Sequence, residues 1–346
     1  MATVRRVTQI LLPRCNIFCS LQARIHNEVS RPFVEFNIPV PWGHIAAKWW
    51  GAQDKQPILC VHGWQDNMNT YDTLLPLLNE NLSFVTFDYP GHGLSSKLPN
   101  GMWYHLIDVA VMLRRIHRFF GWPQLSILAH SLGANMSFLY ACLYPDQVDL
   151  LIEMDGMKPY SYEPGTHIDR TAKNIDKFLH YDDINNAGTE PPSYPYEDLR
   201  MKLHEGSYNS IDIDKTHHIF NRMIAQSVTD PNKYYFTRDC RLKVGNSIGF
   251  QHADLREFAK RIKCPLLVIR TTGNKFIERE KYLLDIVHLL QSIHKDFKYV
   301  EVRVKHHGHL NEPEKMAGII NDFIAKYRKP AADIIPIFES RKVAKL

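Results

Sequence analysis

Short apolar runs alternate with amphipathic stretches along most of the chain. From Phe33 to Trp50, apolar and polar residues alternate around a Pro39-Val40-Pro41-Trp42-Gly43 turn, which predicts an antiparallel strand pair at one sheet edge. Pro57-Ile58-Leu59-Cys60-Val61 and Ser83-Phe84-Val85-Thr86-Phe87 have the unbroken buried character of strands covered on both faces, as in parallel sheets. Tyr71 to Leu78 has a helical period, and Tyr104 to Phe120 predicts a long amphipathic helix that stops at Gly121-Trp122-Pro123. Leu125 to Leu128 is a further buried strand. A helix then runs through Ala134, Asn135, Met136 and Phe138 to Tyr144, and Val148 to Met154 is again a strand. Strand and helix in this order predict a doubly wound, mostly parallel α/β sheet.

The alternation stops after Asp155. Residues 157–260 lack short buried strands and are rich in Tyr, Asp, Asn and His. Helical patches near Tyr196–His204 and Thr216–Gln226 follow a proline-rich stretch at 191–196. This region predicts a mostly helical cap inserted into the core. Cys264-Pro265-Leu266-Leu267-Val268-Ile269 resumes the buried-strand pattern, followed by a helix at Glu278–His294, a strand at Phe297–Val304 and a last helix at Glu312–Tyr327. The expected organisation is an N-terminal segment (1–31), a core (32–156 and 261–328), the cap (157–260) and a C-terminal tail (329–346).

Composition changes this picture mainly at the ends. The net charge is +5, but residues 1–31 hold five arginines against Glu28 alone, so the body is close to neutral and offers no nucleic-acid surface. No apolar run reaches the length of a membrane span. The six cysteines (Cys15, Cys19, Cys60, Cys142, Cys240, Cys264) form no Cys-x-x-Cys pair, which favours buried thiols in a reducing compartment. Before Glu28, arginines mix with Ile10, Leu11, Leu12, Ile17, Phe18 and Leu21 in the manner of a mitochondrial presequence. At the other end, Ala344-Lys345-Leu346 is a conservative variant of the Ser-Lys-Leu peroxisomal address. The expected macromolecular partner is thus an organelle import receptor. Peroxisome and mitochondrion both stand as destinations, against a reading of both termini as accidental sequence.

The chemistry concentrates where strands end. Ala129-His130-Ser131-Leu132-Gly133 sits between a buried strand and a helix. A serine on such a turn is pushed out of the sheet into a cleft, Gly133 leaves room for the tight backbone, and the new helix points free N–H groups at whatever reacts with Ser131. His62-Gly63-Trp64 ends an earlier strand. There Gly63 permits a close turn, and the N–H of Trp64 joins that of Leu132 as a candidate oxyanion hole. Asp88 to Ser95 closes the next strand, with Asp88 and His92 read as loop scaffolding. Past the last strand, Lys305-His306-His307-Gly308-His309 supplies candidates for a general base. Metal ligation by these histidines lacks a matching Cys/His/Asp spacing elsewhere, so neither metal nor cofactor is expected.

With these four ordered motifs, the chain resembles the α/β-hydrolase superfamily over residues 33–328, and within it the serine hydrolase-like, kraken-type proteins. The resemblance implies the α/β-hydrolase fold with an inserted helical cap and a Ser-His-Asp triad. In such relatives the catalytic histidine precedes the proline of the closing Glu-Pro by seven positions, which implies His306, with His309 on a second common histidine position and His307 as the register alternative. The commoner acid position, after strand 266–270, is Asn274 here. The other known position, past the strand that follows the elbow helix, offers Glu153-Met154-Asp155-Gly156. Asp155, at the strand's end, is the implied acid. Its alternative is a helix-capping aspartate at the cap entrance.

The expected function is a cofactor-independent serine hydrolase acting on an ester or thioester of a small substrate. The aromatic cap composition suggests an apolar or aromatic acyl group. Ser131 is the nucleophile, His306 the base, Asp155 the acid, and Trp64 and Leu132 the oxyanion donors. Competing readings are a carbon–carbon bond hydrolase of the same fold, and a scaffold that binds a ligand or protein without turnover.

Overall fold

The computed structural model describes residues 31–161, 165, 168–245, 249–273 and 279–334. The expectations placed on Cys15 and Cys19, on the rest of segment 1–30, on Asn274 and on Ala344-Lys345-Leu346 lie outside the described residues.

The paired edge strands β1 (Phe33–Val40) and β2 (Gly43–Trp50) run antiparallel with Val40 opposite Gly43. They join a sheet built from β3 (Ile58–Val61), β4 (Phe84–Phe87), β5 (Leu125–His130), β6 (Val148–Met154), β9 (Leu266–Thr271) and β10 (Phe297–Val302). Strand order is β1-β2-β4-β3-β5-β6-β9-β10, and every pairing from β4 to β10 is parallel. Because side chains alternate along a strand, each buried strand feeds two cores. Leu59 and Val61 of β3 and Ile127 and Ala129 of β5 pack under α1 (Ile107–Phe120), α2 (Leu132–Leu143) and α7 (Glu280–Ile293). Ile58, Cys60 and Leu128 face the other way, toward Tyr71, Leu75 and α9 (Glu314–Tyr327). Strands buried on both faces explain why the sequence shows them as solid apolar runs.

Several elements depart from expectation. Residues 71–78 are not a helix but parts of two 3-10 turns, Met68–Tyr71 and Leu75–Leu77. Pro76 has no N–H for an α-helical bond to Asp72, so the turn tightens instead. Helix α1 begins at Ile107, since Tyr104 turns its hydroxyl onto Asp239 at 2.9 Å. The last helix begins at Glu314, after a one-turn helix α8 (Gly308–Asn311).

Between β6 and β9 lie α3 (Ile168–Ala187), α4 (Tyr196–Gly206), α5 (Thr216–Phe220), a hairpin of β7 (Ile224–Gln226) and β8 (Tyr234–Phe236), and α6 (His252–Ala259). The expected helix over 216–226 therefore stops at Phe220, and its end is β7. Helix α6 lies against α2 and α7, because Ala259 joins the sheet's own core. A separate cluster of Leu199, Leu203, Ile211, Phe220 and their neighbours packs with Tyr194, Tyr196, Tyr234 and Phe236. Those aromatic residues fill the core of this region itself. No helix among the described residues is long and apolar enough to cross a membrane.

Candidate active site

Parallel pairing aligns the carboxyl ends of β3, β5, β6 and β9: Val61 lies opposite Ala129, His130 opposite Met154, and Met154 opposite Ile269. Residues that immediately follow these positions share one sheet edge, where α/β sites form. Ser131 is the first of them. Its φ of 54° and ψ of −118° lie in a region that costs an ordinary residue on the order of 1–3 kcal/mol. The surroundings enforce it. Ser131 N–H donates to the Met154 carbonyl at 3.0 Å, and the N–H of Asn135 donates to the Ser131 carbonyl at 3.0 Å. A Cβ on Gly133 would lie 2.3 Å from the Val61 carbonyl oxygen, and one on Gly156 would lie 2.4 Å from that of Ser131. Only glycine lets α2 start this close to β3.

The Ser131 hydroxyl lies 2.9 Å from His306 Nε2, and His306 Nδ1 hydrogen-bonds Asp155 Oδ2. Asp155 is held in turn: its Oδ1 accepts the N–H of Thr271 at 2.9 Å, and its own N–H donates to the Ile269 carbonyl. With Nδ1–H directed at the carboxylate, His306 presents a bare Nε2 to the serine. Its side chain is 25% exposed and that of Asp155 12%, so the chain of hydrogen bonds opens to solvent at the serine end.

The loop after β3 passes over the same point. A Cβ on Gly63 would lie 3.2 Å from Ser131 Cβ, which places the Gly63–Trp64 backbone beside the hydroxyl. Two buried histidines shape this loop. His62 Nδ1–H donates to the Gly63 carbonyl at 2.7 Å while Nε2 accepts the Tyr89 N–H at 3.1 Å. His92 Nδ1–H donates to the Pro90 carbonyl while Nε2 accepts the Gln65 N–H at 3.0 Å. Each ring needs one bare nitrogen, and burial pushes both pKa values down to about 3. The Leu132 N–H is the first of α2 and has no carbonyl one turn back inside the helix.

A family model for the alpha/beta hydrolase fold matches residues 56–313. The chain belongs to the α/β-hydrolase fold family. It is 35% identical over 291 residues to a "Probable serine hydrolase" of Drosophila melanogaster, covering 84% of this chain and 87% of that protein. A "Serine hydrolase-like protein" of Mus musculus is 32% identical over 301 residues, covering 84% and 95%. Among solved structures, a hypothetical protein from Pseudomonas aeruginosa PAO1 superposes with a TM-score of 0.72 at 24% identity, covering 84% and 99%. The general activity of this α/β-hydrolase is therefore hydrolysis.

The other candidates fall into distinct places around the Ser131–His306–Asp155 line. His307 Nδ1 pairs with Ser210 Oγ at 2.8 Å, and His309 Nε2 with Thr70 Oγ1 at 2.8 Å, so His306 is the histidine of the three that meets Ser131. Asp88 accepts from Met68 N–H, Leu94 N–H and Arg222 Nε and touches neither Ser131 nor His306. Gly93, at φ 50°, has to be glycine, since a Cβ would lie 2.2 Å from the Asp88 carboxyl. Glu153 is fully buried in the direction of Cys142 and Cys264, with no partner for its carboxyl among the described residues. Burial raises its pKa well above the usual range.

Sequence reasoning missed the residues that tie the site to the inserted region. Trp64 Nε1 and Gln65 Nε2 both donate to the Leu242 carbonyl, at 3.1 and 2.8 Å, and Asn67 Nδ2 donates to Ile219 at 3.0 Å. It also missed Asp66 and His130, both buried. Desolvation raises the Asp66 pKa to about 7. The His62-Gly63-Trp64-Gln65-Asp66-Asn67 string contained a polar run after a buried strand, which is the one linear signal of that hub.

Proposed function

We propose that this hydrolase cleaves esters or thioesters through an acyl-enzyme formed on Ser131. The observation that carries the reading is the continuous hydrogen-bonded line from Ser131 Oγ through His306 to Asp155, ending on a strained strand-to-helix turn. In this reading Ser131 Oγ attacks the acyl carbonyl while His306 Nε2 takes its proton. Asp155 holds the ring and stabilises the imidazolium, and the N–H groups of Trp64 and Leu132 receive the oxyanion. Collapse returns the proton to the departing alcohol or thiol. Water then attacks the acyl-enzyme by the same route and releases the acid.

The choice of acyl group gains no support from the cap aromatics. Tyr196 packs on Phe220 and Tyr234, with ring centroids 5.4 and 5.9 Å apart, and Phe220 packs on Phe236 at 6.3 Å. These rings stabilise the region rather than line a cleft, so the proposed substrate class is an activated acyl compound without an aromatic requirement.

The test is labelling of the purified protein by a fluorophosphonate probe, with Ser131→Ala and His306→Ala alongside. Wild-type labelling that is lost in Ser131→Ala and strongly slowed in His306→Ala supports the reading. A folded wild-type protein that resists the probe contradicts it.

A further inference from the structure

One residue before the nucleophile, a second constellation converges that the proposed hydrolysis does not use. Asp66, His130 and His309 are 4%, 1% and 0% exposed, and one ligand-capable atom from each lies within 4.8 Å of the other two. They come from three segments: the loop after β3, the end of β5, and α8.

The hydrogen bonds around them locate the proton of one ring. His130 Nε2 lies 3.0 Å from the His306 carbonyl oxygen, which can only accept, so the proton is on Nε2 and His130 Nδ1 is a bare lone pair. His309 Nε2 lies 2.8 Å from the Thr70 hydroxyl, which accepts when Nε2 carries the proton. In that tautomer His309 Nδ1 is bare as well. Asp66 Oδ1 takes the Asn67 N–H at 2.8 Å. His130 Nδ1, His309 Nδ1 and Asp66 Oδ2 are all buried and have no hydrogen-bond partner among the described residues. Buried polar atoms are almost always paired. Here three unpartnered atoms from three segments converge. One cation satisfies all three at once when both rings turn a bare nitrogen inward.

We propose that Asp66, His130 and His309 form a buried site for a divalent transition-metal ion of the zinc type. Two imidazole nitrogens and a carboxylate oxygen are ligands such ions accept, and the outer nitrogen of each ring is already held by a carbonyl or a hydroxyl, as metal-bound imidazoles require. His307 Nε2, 3.7 Å from Asp66 Oδ2, is placed for the fourth position. Ligands at about 2.0–2.2 Å from a tetrahedral ion sit closer together than 4.8 Å, so binding draws the side chains inward. The ion does not reach the substrate. It ties together the three segments that carry Trp64, Ser131 and His306. The histidine string thus finds its partners through the fold, where linear spacing showed none.

The full-length protein, stripped with chelator, is titrated with Co2+ and with Zn2+. Uptake is read by visible absorption of the cobalt form and by metal analysis after gel filtration. The expected result is about one ion per chain in wild type and in Ser131→Ala, with tetrahedral cobalt bands. Affinity should fall by at least about 100-fold in Asp66→Asn and in His309→Gln, a ligand loss exceeding the outer-partner effect. Folded wild-type protein that takes up neither ion overturns the proposal, and this arm needs no variant to fold. Uptake equally tight in both variants overturns it too.

Discussion

The two sides of the His130–Ser131 turn are built on opposite terms. In front, Ser131, His306 and Asp155 form a line in which each polar group has a partner, and the line is open to solvent at one end. Behind, Asp66, His130 and His309 are sealed from solvent and hold three polar atoms with no hydrogen-bond partner among the described residues. The difference teaches how a reactive serine is kept in place. The front fixes its own geometry by hydrogen bonds. The rear contributes position through His130, whose Nε2–H holds the backbone carbonyl of His306.

Breaking the front alone gives the largest expected effect. Ser131→Ala should lower turnover of an activated ester by at least about 10⁴-fold, while thermal unfolding stays within a few degrees of wild type. A comparable fall in melting temperature would mean that the hydroxyl is structural. Breaking both sides at once needs a methyl group. Gly133→Ala puts a Cβ 2.3 Å from the Val61 carbonyl and 2.6 Å from that of His62, and should destabilise by roughly 2–4 kcal/mol in chemical denaturation. Unchanged stability would show that α2 does not start against β3 as described. Gly63→Ala is gentler, with contacts of 3.1 Å to His130 Nδ1 and 3.2 Å to Ser131 Cβ. It should cost roughly 10- to 100-fold in kcat with little change in stability, because it shifts the proposed oxyanion donor, the Trp64 N–H, rather than removing it.

The smallest effect is in pH dependence. His62 and His92 stay neutral when folded, with pKa values held near 3 against an ordinary 6.5. Between those values the unfolded rings bind protons that the folded rings refuse. Stability therefore rises with pH across this window and is lost as pH falls below about 6.5, by roughly 2 kcal/mol per ring at pH 5. His92→Gln keeps an acceptor for the Gln65 N–H and should flatten the acid side of the melting-temperature profile. An identical profile would rule out burial of the His92 ring as a source of acid lability.

The sheet was legible because strands covered on both faces are mostly apolar: β3 is so throughout, and β4, β5 and β9 carry runs broken only by Thr86, by Ser126 and His130, and by Arg270 and Thr271. Ser131 was legible from its place between strand and helix. Helix α3 was not: Ile168, Ala172, Ile175 and Leu179 recur at helical spacing, but the stripe is diluted by charged and amide residues and none of its residues is buried. It is held by polar ties such as Asn174 Nδ2 to the Gly245 carbonyl and the stacking of Phe178 on Trp103. Residues 71–78 misled because Leu74, Leu75 and Leu78 do face the core, but from 3-10 turns rather than an α-helix. The rear cluster was invisible because its members lie on a loop, a strand end and a one-turn helix that meet only when the sheet forms.

The most direct measurement is the rate of hydrolysis of an activated ester by Asp155→Asn beside wild type. Asparagine keeps an oxygen for the Thr271 N–H and tolerates the left-handed φ of 46° at this position, so the fold should survive. What it removes is the charge behind the His306 imidazole. The account predicts a fall in kcat of about 10⁴-fold with unchanged circular dichroism. A folded variant that retains wild-type turnover would contradict it and place the acid elsewhere.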